Sequence, residues 1–132
     1  GCGLEVHGEV GSKVFSQSAA DLISQANVCM DAGTEIVLVE AAELIVDGEP
    51  NPTIIKELRD GLDLTKVLFE LTGPWIKGVT LSSIHELKRF LLTEFGPDVN
   101  LANVMPDDVL ETEASRVGLS VVGPDREHGA AV

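Results

Sequence analysis

The stretch KVLFELTGPW, residues 66–75, decides the fold of this chain. Residues 67–69 form an apolar run of the β-branched and aromatic type that favours a buried strand, and a Gly-Pro pair at 73–74 ends it. Glu70 stands between the run and its end. Because burial of an unpaired charge is costly, a carboxylate at the tip of a buried strand calls for a partner or a function.

Three further runs of the same kind recur at intervals of about 30 residues. They are LEVHGEV (4–10), EIVLVE (35–40) and VNLANV (99–104). The segments between the runs have apolar residues at helical spacing. Strands that alternate with helices in this way predict an α/β fold, with a parallel sheet covered by helices.

Each intervening segment also carries a signal for the start of a helix, and Gly33, Gly61, Gly96 and Gly118 supply stop signals. The predicted starts are Ser16 or Ser18 for the first helix, Asn51-Pro52 for the second, Ser83 with Glu86 for the third, and Pro106-Asp107-Asp108 for the fourth. These signals predict four strand–helix units.

Composition narrows the class of protein and its partners. The chain has 132 residues and a formal charge of −13, from 9 Lys and Arg against 22 Asp and Glu. This charge argues against nucleic acid and against anionic membrane surfaces as partners. No apolar window reaches the ~18 residues of a membrane span, and the N-terminus has no signal-peptide pattern. With Cys2 and Cys29 too few for a disulfide framework, we predict a cytoplasmic protein.

Polar side chains recur where the predicted strands end. Glu9, Glu40 and Glu70 fall at the C-terminal ends of the first three strands, and Asn100 and Asn103 occupy the fourth. Parallel α/β folds bind ligands at this edge of the sheet, and oxygen ligands of this kind suit Mg²⁺. We predict that the three carboxylates bind Mg²⁺ and that the two amides orient substrate or water. The alternative is that each glutamate caps a strand or lies on the surface.

Lys13 follows Glu9 in the turn EVGSKVF, residues 9–15, where Gly11 lets the backbone bend. A lysine beside carboxylates and a metal donates protons or binds an anionic substrate. The alternative is an exposed loop lysine.

Five motifs in sequence order make the chain resemble the phosphosulfolactate synthase (ComA-like) family. They are EVGSK, DAGTEIVLVEA, KVLFEL, FGPDVNLANV and LETEASRVGL. The resemblance implies a (β/α)₈ barrel and Mg²⁺-dependent addition of sulfite to phosphoenolpyruvate, a step of coenzyme M biosynthesis. It further implies that Lys13 is the proton donor and Glu9 its acidic neighbour, and that the substrate is a small anion.

The chain departs from the family pattern at a position where the family has a positively charged residue and in the length of one loop. Ala42 stands where the family has an arginine, and the loop after Glu70 is longer. Lys77 in that loop and Arg116, which matches the family, are the predicted replacements for binding an anionic substrate. The alternative function is a non-catalytic, stress-associated family member that acts through protein contacts.

Four units make half of a barrel, since a (β/α)₈ barrel takes about 250 residues. We therefore predict that residues 1–119 form the C-terminal half of such a barrel and that residues 120–132 form a polar tail. An isolated half-barrel exposes edge strands and an apolar interior. This predicts a homo-oligomer or a missing N-terminal half-barrel, the chain then being a fragment of a longer protein, with an open four-stranded domain as the alternative.

Overall fold

The computed structural model describes residues 3–12, 17–46 and 49–120, and the chain divides into two units. The first unit comprises Gly1–Thr72 with Asn100–Asn103, and the second comprises Gly73–Val99 with Val104–Val132. Lys13 and most of the predicted tail, residues 121–132, lie outside the described residues.

The first unit contains all the strands found within the described ranges and two helices. In chain order its elements are β1 (His7–Val10), α1 (Ala19–Asp31), β2 (Ile36–Glu40), β3 (Ile45–Val46), β4 (Glu49–Pro50), α2 (Pro52–Gly61), β5 (Val67–Glu70) and β6 (Asn100–Ala102). A 3₁₀ turn, Ala41–Leu44, follows β2 directly. The short antiparallel pair of β3 and β4 was not predicted from the sequence.

The main sheet joins the four predicted strands in the order β1-β2-β5-β6, and every pair is parallel. The predicted α/β fold with a parallel sheet is therefore confirmed. The strands are shorter than the apolar runs that predicted them, since each strand includes only residues paired with a neighbouring strand.

The core of the first unit follows from the alternation of side chains along these strands. Val10, Val39 and Phe69 lie at one level of the sheet and are buried. Helix α1 packs on β1 and β2 and buries Leu22 and Ala26. The alternate positions, with Glu40 and Glu70 among them, project from the opposite face.

Two of the helix starts are those predicted. Ser18 Oγ accepts a hydrogen bond from Asp21 N at 3.2 Å at the start of α1. Asn51 Oδ1 accepts one from Thr53 N at 3.0 Å at the start of α2, with Pro52 as the first helical residue.

The second unit contains α3 (Leu81–Phe95), a 3₁₀ turn (Pro106–Asp108) and α4 (Val109–Arg116). The predicted start of α3 at Ser83 is wrong by one turn, since Thr80 is the N-cap and Ser83 completes a capping box with it. Both Thr80/Ser83 and Ser83/Glu86 have the spacing of a capping box, so spacing alone does not choose between them. No helix in the described part of the chain is long and apolar enough to span a membrane.

Candidate functional site

Two carboxylates lie side by side at the C-terminal edge of the sheet. Glu40 and Glu70 are the last residues of β2 and β5, and their Cα atoms are partners in the parallel ladder. Glu40 is 5% exposed and Glu70 is half-buried. Because residues in register project from the same face, the two side chains emerge next to each other at this edge.

Asn103 holds Glu70 from the end of the next strand. Its Nδ2 donates to Glu70 Oε1 at 2.9 Å and to the Leu71 carbonyl at 3.1 Å. The backbone of Asn103 has φ 60, the left-handed conformation that asparagine tolerates better than most residues. The chain thus turns sharply after β6 and brings the amide back over the end of β5.

Glu9 does not share the level of the other two glutamates. Its ladder partner is Leu38, two positions before Glu40, and its side chain is exposed. The neighbour of Glu40 on the first strand's side is Gly11, whose φ is +111. A Cβ atom at Gly11 would lie 2.8 Å from Glu40 Cβ, so a side chain at this position would collide with the glutamate.

Glu43 is a functional candidate that the sequence did not single out. It is 4% exposed, in the turn Ala41–Leu44. Its Oε1 accepts a hydrogen bond from Ser12 N at 2.8 Å, and its Oε2 accepts one from Gln17 N at 3.0 Å. The carboxylate therefore ties both ends of the connection between β1 and α1 to the turn that follows Glu40.

The remaining predicted substrate contacts lie elsewhere. Asn100 is the first residue of β6, and its Nδ2 donates to the Val67 carbonyl at 3.0 Å, at the start of β5. Arg116 Nη1 donates to the carbonyls of Pro97 and Val99 at 2.6 and 2.7 Å. Lys77 is exposed in the loop that precedes α3. Asn100 is thus at the opposite end of the sheet from Glu70, and Arg116 braces the segment that leads into β6.

A different group of potential metal ligands occurs in the second unit. Among the described residues, His85, Asp108 and Glu111 are the group of histidine, cysteine and acidic side chains whose ligand atoms all lie within 4.8 Å of one another. The trio of Glu9, Glu40 and Glu70 does not meet this criterion in the present conformation.

A lysine already pairs with both carboxylates of this second group. Lys88 is 0% exposed, and its Nζ contacts Asp108 Oδ2 at 2.5 Å and Glu111 Oε2 at 2.8 Å. Partial burial opposes ionisation of Glu111, but hydrogen bonds from Lys88, Ser115 and Ser120 outweigh it and lower the pKa of Glu111 to about 2. Because Lys88 already provides a counter-charge next to both carboxylates, we interpret the group as an ion-pair network.

Comparisons with known proteins give the family. The family model described as (2R)-phospho-3-sulfolactate synthase (ComA) matches residues 1–121. A curated relative, the phosphosulfolactate synthase of Methanocaldococcus jannaschii, is 29% identical, over a match that covers 89% of this chain and 47% of the relative. The chain thus spans about half the length of the curated relative that it matches.

Proposed function

The chain belongs to the (2R)-phospho-3-sulfolactate synthase (ComA) family, and we propose that it forms part of a lyase that adds sulfite to phosphoenolpyruvate or a similar enol acid. The observation that carries this proposal is the pairing of Glu40 with Glu70 at the carboxyl ends of adjacent parallel strands. Ligands bind at this edge in parallel α/β folds.

The chemistry of these side chains fits Mg²⁺, which prefers oxygen ligands and is bound in proteins through one or two carboxylates. Two carboxylates in register bring like charges close together, and a cation bound by both relieves their repulsion. Under the proposal Glu40 and Glu70 hold the ion, and Glu9 contributes through water. When bound, Mg²⁺ acts as a Lewis acid toward the charge that develops on the substrate's carboxylate.

The protein's own groups then have separate tasks. Sulfite forms a bond from its sulfur to the terminal carbon of the enol, and the carbon beside the carboxylate takes up a proton. Lys13 is the proposed donor of that proton. Asn103 keeps Glu70 in place through its 2.9 Å hydrogen bond. Lys77 and Arg116 stay predicted contacts for the anionic groups of a substrate, whereas Asn100, at the opposite end of the sheet from Glu70, is not assigned to the same substrate.

The finer architecture is also a proposal. We propose that the strand–helix units are half of a (β/α)₈ barrel, since the chain matches 47% of its relative. The remaining strands would come from an N-terminal half, in the same or another chain, or from a second copy of these units. No observation favours the non-catalytic alternative, and we do not propose it.

Calorimetric titration with Mg²⁺ tests the metal site. We expect the wild-type protein to bind the ion and the Glu40→Gln/Glu70→Gln variant to lose binding. A Glu35→Gln/Glu57→Gln variant removes the same charge from two exposed positions of the first unit and should bind as the wild type does. Absence of binding in the wild type, or equal binding by the first variant, would reject the proposal.

A turnover assay with sulfite and phosphoenolpyruvate tests the proton donor. In any assembly that shows turnover, Lys13→Ala should abolish product formation and leave Mg²⁺ affinity unchanged. Full turnover by this variant would eliminate Lys13 as the acid.

A further inference from the structure

We propose that Glu43 is a positioning residue for Glu40. By accepting backbone hydrogen bonds from the connection between β1 and α1, Glu43 holds Gly11 against Glu40 and so restricts the directions in which the Glu40 side chain can point. The effect of Glu43 on metal binding rests on the proposed function, whereas the effect of Glu43 on the conformation of Glu40 does not.

The first step of the inference is the double hydrogen bond. One carboxylate oxygen of Glu43 accepts a hydrogen bond from Ser12 N at 2.8 Å, and the other accepts one from Gln17 N at 3.0 Å. Hydrogen bonds to an ionised carboxylate are about twice as strong as those between neutral groups. The two donors are separated by a short stretch of chain, so one side chain fixes both of its ends.

The second step is the contact between Gly11 and Glu40. Gly11 immediately precedes Ser12, and a Cβ atom built on it would lie 2.8 Å from Glu40 Cβ, 3.4 Å from Glu40 N and 3.6 Å from Glu43 Cγ. The bare glycine backbone therefore lies directly against Glu40. The hydrogen bond to Ser12 keeps it there, which removes space that some Glu40 rotamers would need.

The third step concerns why the residue is a glutamate. Both bonds run from backbone N–H donors, so the side chain must offer an acceptor at each of its two ends. An ionised carboxylate does so, whereas a glutamine presents one acceptor and an NH₂ group that would face a backbone N–H. An aspartate keeps the charge, but it is one methylene shorter and cannot reach both donors from the same backbone position.

NMR of the Glu43→Gln variant tests the proposal without any need for activity. In the wild type, the three-bond couplings of Glu40 should report a single χ1 rotamer, and the Ser12 and Gln17 amides should be protected from hydrogen exchange. In the variant we expect averaged Glu40 couplings and exchange at both amides faster by about tenfold, the size of one net hydrogen bond. Glu57→Gln, with the same loss of charge at an exposed site, should match the wild type.

Mg²⁺ affinity is the second readout, because a residue with a merely structural role would not change it. We expect Glu43→Gln to weaken binding by about tenfold. Glu40 couplings that stay unchanged in the variant would overturn the proposal. Averaged couplings with unaltered affinity would overturn the positioning role as well. If the wild-type protein binds no Mg²⁺, the proposed function fails and the couplings alone decide the role of Glu43.

Two further variants keep the test decisive if Glu43→Gln does not fold. Glu43→Asp retains the charge and should give the same averaging, and Gly11→Ala disturbs the contact with Glu40 from the other side while Glu43 is intact. Failure of both Glu43 variants to fold would overturn the proposal. Glu43 would then be required for folding of the protein and not specifically for positioning Glu40.

Discussion

Carboxylates are held in two different ways in this protein. At the edge of the sheet, Glu43 accepts hydrogen bonds from two backbone amides and Glu70 accepts one from the Asn103 side chain. In the second unit, Asp108 and Glu111 share the ammonium group of Lys88. Amide donors fix the position of a carboxylate without adding a positive charge, whereas the single ammonium group of Lys88 offsets one of the two negative charges beside it.

In the second unit the ion pairs have a structural role. An ion pair that includes its own cation has little use for another, and in the second unit it links α3 to α4 through a buried side chain. A carboxylate fixed by amides keeps its attraction for a cation from solution. Proximity of acidic side chains alone therefore does not identify a metal site.

The largest expected effect is on the ion-pair network. Lys88→Met should destabilise the protein by about 3 kcal/mol, because it leaves two partly buried carboxylates without their counter-charge. Urea denaturation measures the change. Lys56→Met removes an exposed lysine that pairs with Asp60 on α2 and should cost well under ~1 kcal/mol. Equal costs for the two variants would mean that Lys88 is no more than a surface charge.

Acid should weaken the same network. The pKa of Glu111 is about 2 in the folded protein, below the ~4.3 of an unfolded glutamate. Its contribution to stability is therefore complete above about pH 4.5 and is lost as the pH falls towards 2, a change on the order of 2 kcal/mol. Unfolding free energies measured across this range should show a smaller slope for Glu111→Gln. An identical slope would exclude Glu111 as the group responsible.

The close contact at the sheet edge is the next feature to test. Gly11→Ala should cost about 2 kcal/mol, from backbone strain at positive φ and from collision with Glu40. Gly33→Ala is the matched control, because Gly33 has φ +98 and a Cβ atom there meets nothing within 4 Å. The difference between the two free energies of unfolding reports the contact with Glu40. Equal losses of unfolding free energy in the two variants would show that Glu40 moves away from the new Cβ atom at no energetic cost.

The smallest effect is expected at Asn103. Asn103→Gly keeps the left-handed backbone but loses the hydrogen bonds to Glu70 and Leu71, at a cost of about 1 kcal/mol. Asn103→Ala loses the same bonds and adds strain, so it should unfold more readily than the glycine variant. Thermal unfolding measures both. A glycine variant as stable as the wild type would show that the amide contributes nothing to the edge.

Much of the fold could be predicted because its signals are local. Apolar runs alternating with helical segments predicted the parallel sheet, and Ser18 and Asn51-Pro52 predicted two helix starts. The start of α3 was misassigned because overlapping pairs, Thr80/Ser83 and Ser83/Glu86, have equal spacing. Only the packed structure distinguishes such pairs.

The strand-end positions of two candidate residues were predicted, and their role in a site stays a prediction. Glu40 and Glu70 were recognised from their places at strand ends, but the sequence does not give the register that sets Glu9 opposite Leu38. Glu43 was missed because its hydrogen-bond partners are 31 and 26 residues away along the chain. Lys88 had a usable signal: it stands four residues after Ile84 and three before Leu91, on the apolar side of α3.

Asn103 has a consequence for how natural variants of this protein can be interpreted. Its position imposes two independent demands, a left-handed backbone and a side-chain donor for Glu70. Glycine meets the first demand alone, and aspartate accepts that backbone but offers a second negative charge in place of the donor. Asparagine meets both. Homologues with glycine at this position are therefore expected to keep the turn after β6 and to lose the side-chain hydrogen bond to Glu70.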